Sequence, residues 1–165
     1  MLNYEKAKKL IYKNNDLSDC IEGITIELVE KVENLLEVKF PNTYKQYLCD
    51  FGALTFGATE IYGIVNDDFV NSGIPDVVWI TLKNRKEFNL PKHLIQIYSL
   101  GDGTEFYLDT SKMNNDECPV ISIHAPNFLD VESSQNEIQI EYDDFGEFFL
   151  ELIQEEIEFQ EELDD

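Results

Sequence analysis

The chain reads as a single α+β domain, with helices at both ends and a small antiparallel sheet between them. Three observations predict this. Apolar residues recur at helical spacing before residue 52 and again after residue 144, while short β-rich runs punctuated by glycine fill the middle. At 165 residues, 43% hydrophobic and 12% aromatic, the chain is long enough for one core that buries roughly two-thirds of its unfolded surface. Residues 1–165 are therefore taken as one domain.

Residues 4–13 form a short helix with Leu10 and Ile11 on one side and Lys6, Lys8, Lys9 and Lys13 in solvent. Thr25 caps a second helix, whose stripe is Leu28, Val32, Leu35 and Leu36. Pro41 sits where a first-turn proline is tolerated, Tyr44, Tyr47, Leu48 and Phe51 keep helical spacing, and Gly52 ends this third helix in a left-handed conformation. Gly52, Gly57 and Gly63 then punctuate residues 53–56 and 60–62, which suit strands joined by tight turns.

The run Val77-Val78-Trp79-Ile80 is β-rich, yet Pro75 at a helix start, Asp76 in the first turn and Lys83, Arg85 and Lys86 in the last favour a helix. Residues 94–100 and 104–109 flank Gly101-Asp102-Gly103, a strong hairpin signal, and residues 120–124 supply a further strand. A last helix, capped by Asp143 or Asp144, carries the stripe Phe145, Phe148, Phe149, Leu152, Ile153 and Ile157. Its other face holds the like-charge pairs Glu147 with Glu151, Glu151 with Glu155, and Glu158 with Glu162, so the acidic tail at 158–165 is expected to fray.

Charge is distributed unevenly. Lys112 is the last basic residue; up to it the chain holds 17 acidic and 12 basic residues, and beyond it 17 acidic and none basic, for a net of −22. Such a field repels nucleic acid and anionic membrane and attracts cationic surfaces, with solubility as the competing explanation. No apolar run nears the roughly 20 residues of a membrane span, and the first residues lack the apolar stretch of a secretory signal, so a cytoplasmic location is expected. Cys20, Cys49 and Cys118 are odd in number and far apart, which suits buried, reduced thiols.

Catalytic patterns are scarce. His93 and His124 have no helical partner, a Cys118–His124 nucleophile pair lacks an orienting third group, and the remaining carboxylates lie on expected solvent faces. Asp102, Glu105 and Asp109 cluster near the hairpin, but the spacing of a calcium loop is missing and the glycines are explained by the turn. No phosphate loop or dinucleotide fingerprint follows a strand. The expectation is a protein without enzymatic activity, metal or cofactor.

Residues 29–63 place a helix with a central Glu33 before Phe40-Pro41-x-x-Tyr44-Lys45-x-Tyr47-Leu48, followed by Phe56-Gly57 and Ile61-Tyr62-Gly63. Downstream come Lys86-Glu87-Phe88-Asn89-Leu90-Pro91, Gly101-Asp102-Gly103, Phe106-Tyr107-Leu108-Asp109-Thr110 and Glu117-Cys118-Pro119-Val120. This order resembles the SUKH superfamily over residues 25–157, and within it the YobK-like immunity proteins. The resemblance implies helices packed on one face of a mostly antiparallel sheet, closed by a C-terminal helix. It makes Pro41, Tyr44, Phe56, Gly57, Tyr62, Gly63 and Asp109 mainly structural. One departure is Asp50-Phe51-Gly52-Ala53, where many members carry Asn-Gly-Gly.

The function implied is that of an immunity protein, which neutralises a cognate secreted toxin, often a nuclease, by direct binding. An acidic inhibitor suits such a toxin, because a nuclease presents cationic surface to its substrate. Asp102, Glu105, Asp130 and Glu132 are the candidate contact residues, each expected to face Lys or Arg. An intracellular scaffold or regulator that docks a folded protein is the alternative, and an enzyme using a cleft between the sheet and the Pro75 helix is a third.

Overall fold

The computed structural model describes residues 1–129 and 137–164. Helix α1 (Leu2–Lys13) leads to β1 (Ser18–Cys20), α2 (Ile26–Leu36) and α3 (Asn42–Phe51), then to β2 (Leu54–Phe56) and β3 (Thr59–Ile61). Helix α4 (Val77–Phe88) precedes β4 (Leu94–Ser99), β5 (Thr104–Asp109), β6 (Val120–His124) and β7 (Ile138–Tyr142), and α5 (Phe145–Asp164) closes the fold. The acidic tail expected to fray is helical to Asp164.

The strands form two antiparallel sheets, β1-β2-β3 and β4-β5-β6-β7. The Tyr62 N–H donates to the Ile97 carbonyl at 2.9 Å, and this bond links them. β1 and β7 go beyond the sequence reading. Residues 18–20 are too short and polar to show a period, whereas Ile138 and Ile140 alternate with Gln139 and Glu141 as a strand should.

Helix boundaries follow from local chemistry. The Thr25 hydroxyl accepts from the Leu28 N–H, and one Asp76 oxygen accepts from both Val78 and Trp79 N–H, so Asp76 is the cap of α4 rather than part of its first turn. Asp144 accepts from the Glu147 N–H and caps α5. Pro41 is the residue before α3, and that helix takes its cap from far away. Glu117 accepts from both the Thr43 N–H at 3.0 Å and the Thr43 hydroxyl at 2.6 Å. Gly52 ends α3 with φ 67° and ψ −73°, a positive φ as expected but outside the left-handed helical region.

The core is aromatic. Phe145 of α5 lies 4.9 Å from Tyr44 and 5.3 Å from Tyr47 between ring centroids, and Tyr4 of α1 stacks on Phe149. The buried stripe of α2 is Val29, Val32, Glu33 and Leu36, while Leu35 is exposed, one position off the expected face. Lys8 is not free in solvent; it pairs with Asp50 at 2.8 Å beside the Tyr4 hydroxyl, which donates to the same oxygen and so ties α1 to α3. Cys118 is buried as expected, but Cys20 is exposed.

Strand alternation gives the larger sheet a second apolar face. Phe106 and Leu108 turn toward the main core, whereas Leu94, Tyr107, Ile121 and Ile123 form a separate small cluster behind the sheet, with Leu90 buried in it and Phe128 packed against it.

Candidate functional site

That second face opens into a cleft of about 500 Å³ between the sheet and α4. It is the place the sequence reserves for a cleft beside the Pro75 helix. Helical spacing puts Ile80, Asn84 and Phe88 on the wall, strand alternation puts Glu105 and Tyr107 on the floor, a register shift in β4 between Gln96 and Tyr98 brings both Gln96 and Ser99 to that same face, and residues after β6 contribute Pro126 and Phe128. Phe88 is 48% exposed at the rim.

Glu105 is the single ionisable carboxylate among the lining residues, and none of them is Lys or Arg. Its two oxygens are held separately: one accepts from the Ser99 hydroxyl at 3.0 Å and the other from the Gln96 side-chain amide. Gln96, itself 6% exposed, is oriented by Asn84, whose amide donates to the Gln96 oxygen at 2.8 Å. Burial pushes the Glu105 carboxyl above the usual glutamate range, more than the Ser99 and Gln96 hydrogen bonds lower it; Asp102 adds repulsion. Burial, and then the charge of Glu105, pushes the Tyr62 phenol up to about 12.

The expected contact residues fall in different places. Glu105 is a half-buried member of the cleft floor, not a rim charge. Asp102 is exposed in the β4–β5 turn, where its carboxylate accepts from the Thr104 N–H at 2.8 Å, a bond that holds its pKa down. Asp130 and Glu132 lie outside the described residues. Sequence reasoning missed the cleft's polar relay, Asn84 to Gln96 to Glu105, because it depends on a helix and two strands whose pairing no local pattern encodes.

Groups weighed for chemistry are separated. Burial, followed by the charges of Asp109 and Glu117, pushes the Cys118 thiol up to about 12, the reverse of an activated nucleophile. His124 is exposed, within 3.0 Å of the Thr104 hydroxyl. Asp109 caps the short turn after β5, accepting from the Ser111 N–H and hydroxyl and pairing with Lys112 at 3.1 Å. Among the described residues no group of three or more His, Cys, Asp or Glu is placed to hold a metal ion, and no helix is long and apolar enough to cross a membrane.

The motif residues build the frame around the cleft. The Tyr44 hydroxyl donates to the Tyr62 carbonyl at 2.9 Å and the Tyr47 hydroxyl to the Ile61 carbonyl at 2.8 Å, so α3 fixes β3 and, through Tyr62, one side of the cleft. Phe56 is wholly buried. Glu33 is buried too, accepting from the Phe40 N–H at 2.8 Å and pairing with Lys39 and Lys45. A family model described as SMI1-KNR4 cell-wall, SUKH_5, matches residues 5–154. The chain belongs to the SUKH superfamily. The match begins in α1, well before the first motif residue, and takes in the first half of α5, so α1 and the start of α5 are part of the SUKH domain. The superfamily is known for the immunity proteins of toxin systems.

Proposed function

We propose that this SUKH protein is a non-enzymatic immunity protein, acting in the cytoplasm of the cell that makes a cognate toxin and neutralising it by direct binding. The supporting observation is electrostatic. Among the described residues the ion pairs use Asp50, Glu33, Glu37 and Asp109, and no carboxylate beyond Lys112 has a Lys or Arg partner within the fold. The negative field of this half is thus left for something outside the chain. A toxin with a basic surface, such as a nuclease, meets it, and the acidic face both steers the encounter and covers the cationic surface the toxin needs.

A regulatory scaffold that docks a folded protein is the second reading, favoured by the cell-wall description of the matching family model. Co-expression with the toxin encoded by a neighbouring gene separates the two. Immunity requires rescue of growth and a stoichiometric complex on purification. Equal killing with and without this protein, and no complex, would overturn the proposal.

A further inference from the structure

We infer that the cleft between α4 and the β4–β7 sheet receives an arginine side chain from a protein partner, with Glu105 as its counter-ion. The inference deepens the immunity reading and takes from it that the partner is a basic protein. Glu105 is a carboxylate in a cavity lined by Tyr62, Phe88, Tyr107 and Phe128, with no Lys or Arg beside it. A buried or half-buried carboxylate without a cation is costly, and the site is therefore complementary to a positive group.

The geometry selects the kind of cation. An ionised carboxylate has about four lone-pair sites, two on each oxygen. Ser99 occupies one oxygen once and Gln96 occupies the other once. Among the described residues no other donor reaches the carboxylate, so one site on each oxygen is left, which matches the two parallel N–H donors of a guanidinium fork. Asn84 holds the Gln96 amide oxygen, so the Gln96 N–H group faces Glu105 and the carboxylate is fixed before any ligand arrives. Aromatic walls stack on a planar, weakly hydrated guanidinium better than on a strongly hydrated ammonium.

A protein source is favoured over a free small molecule by what surrounds the cleft. Ile138 and Ile140 are paired across the strand boundary with Ile123 and Ile121, on the same face as the cleft floor, yet are 53% and 61% exposed. With Phe88 at the opposite rim, they form an apolar surround for a central charged anchor, the arrangement of a protein interface with an arginine hot spot. The volume of about 500 Å³ takes one long side chain and the backbone that presents it.

The test is an NMR titration of the full chain with arginine blocked at both ends, against the blocked citrulline isostere, which has the same shape and no charge. Blocked arginine should give saturable shifts of the Gln96 side-chain amide and the Ile80 methyls, with citrulline at least about tenfold weaker. Glu105→Gln should abolish that preference, and Phe88→Ala, at an exposed position, should weaken arginine binding several-fold while the melting temperature holds. Equal shifts from arginine and citrulline, an undiminished preference in Glu105→Gln, or no binding overturns the assignment. A toxin retained by the wild type while blocked arginine leaves the cleft untouched would sink the arginine site and spare the immunity reading. Arginine binding with no toxin retained would do the reverse.

Discussion

Glu156, in the most acidic helix of the chain, is buried against Thr59 of β3: one carboxylate oxygen accepts from the Thr59 hydroxyl at 3.0 Å and the other from the Ala58 N–H at 2.9 Å. Gln160 donates to the latter oxygen at 2.7 Å. One of the acids beyond Lys112 is therefore a structural clamp between α5 and the β2–β3 turn. Hydrogen bonds to a charged group contribute about 1.5–3 kcal/mol, and the Ala58 N–H would lose its partner. Glu156→Ala should lower the unfolding free energy by about 2 kcal/mol in urea with an unchanged slope, whereas Glu162→Gln, on the solvent face, should stay within about 0.5 kcal/mol.

The same clamp explains Gly57. Its φ is +57°, and a Cβ there would stand 2.0 Å from the Glu156 carboxylate. At Gly63 a Cβ would stand 1.8 Å from the Gly52 carbonyl oxygen, which is backbone and cannot swing away. Gly57→Ala should cost about 1–3 kcal/mol, since a side chain can yield. Gly63→Ala should cost more, or leave no cooperative transition at all. Thermal unfolding of the two variants side by side checks the order.

Both glycines were legible in the sequence as turn positions, as were the three N-terminal helices, the hairpin at Asp102 and the apolar stripe of α5, because each of these signals lies in residues close in the chain; the Glu156 contact at Gly57 was not among them. The signals that failed were long-range. Glu156 was indistinguishable from its solvated neighbours, since only the position of the Thr59 turn makes it a cap. Leu35 and Val29 exchanged roles because α2 rotates to bury Glu33 beneath Lys39 and Lys45. Of the candidate site, Glu105 could be singled out as an acid near a hairpin, but its placement in a cleft required the strand register that pairs Ser99 with Glu105.

Glu33, Asp50 and Asp109 respond to pH in one direction and Glu105 and Glu155 in the other. Burial alone would raise the first three, but hydrogen bonds from Lys39, Phe40 and Lys45 to Glu33, from Lys8 and Tyr4 to Asp50, and from Ser111 and Lys112 to Asp109 hold all three below their ordinary values. Their stabilisation is full above about pH 4–5 and is lost as the pH falls through the depressed values. Glu105 and Glu155 are raised, chiefly by burial, so their cost is present above the raised values and is relieved as the pH falls through them. The urea midpoint should therefore rise from pH 7 to about pH 5, helped by the shrinking net charge, and fall below about pH 4.

Glu105 should show a trade between stability and binding. Its raised pKa means the folded chain resists ionising it, so Glu105→Gln should raise the melting temperature at pH 7, by about 1–4 °C, and the gain should vanish as the pH is lowered. Calorimetry at pH 7 and pH 4.5 reads this directly. A variant that melts lower at pH 7 would mean that the Ser99 and Gln96 hydrogen bonds stabilise the carboxylate more than burial opposes it.

The unpaired acids beyond Lys112 carry the last prediction. Exposed charges act at a distance, and their field is screened beyond roughly 8–10 Å at ordinary ionic strength, so they set the rate of encounter. The desolvated anchor in the cleft acts on contact and sets the rate of escape. Association with a basic toxin should slow by about tenfold or more between low salt and physiological salt, while dissociation stays nearly constant. Neutralising Glu151, Glu155 and Glu158 together should flatten the salt dependence of association and leave dissociation alone, and Glu105→Gln should do the opposite. Stopped-flow measurement of both rates across a salt series distinguishes these roles, and a salt-independent association rate would assign the acidity of α5 to solubility.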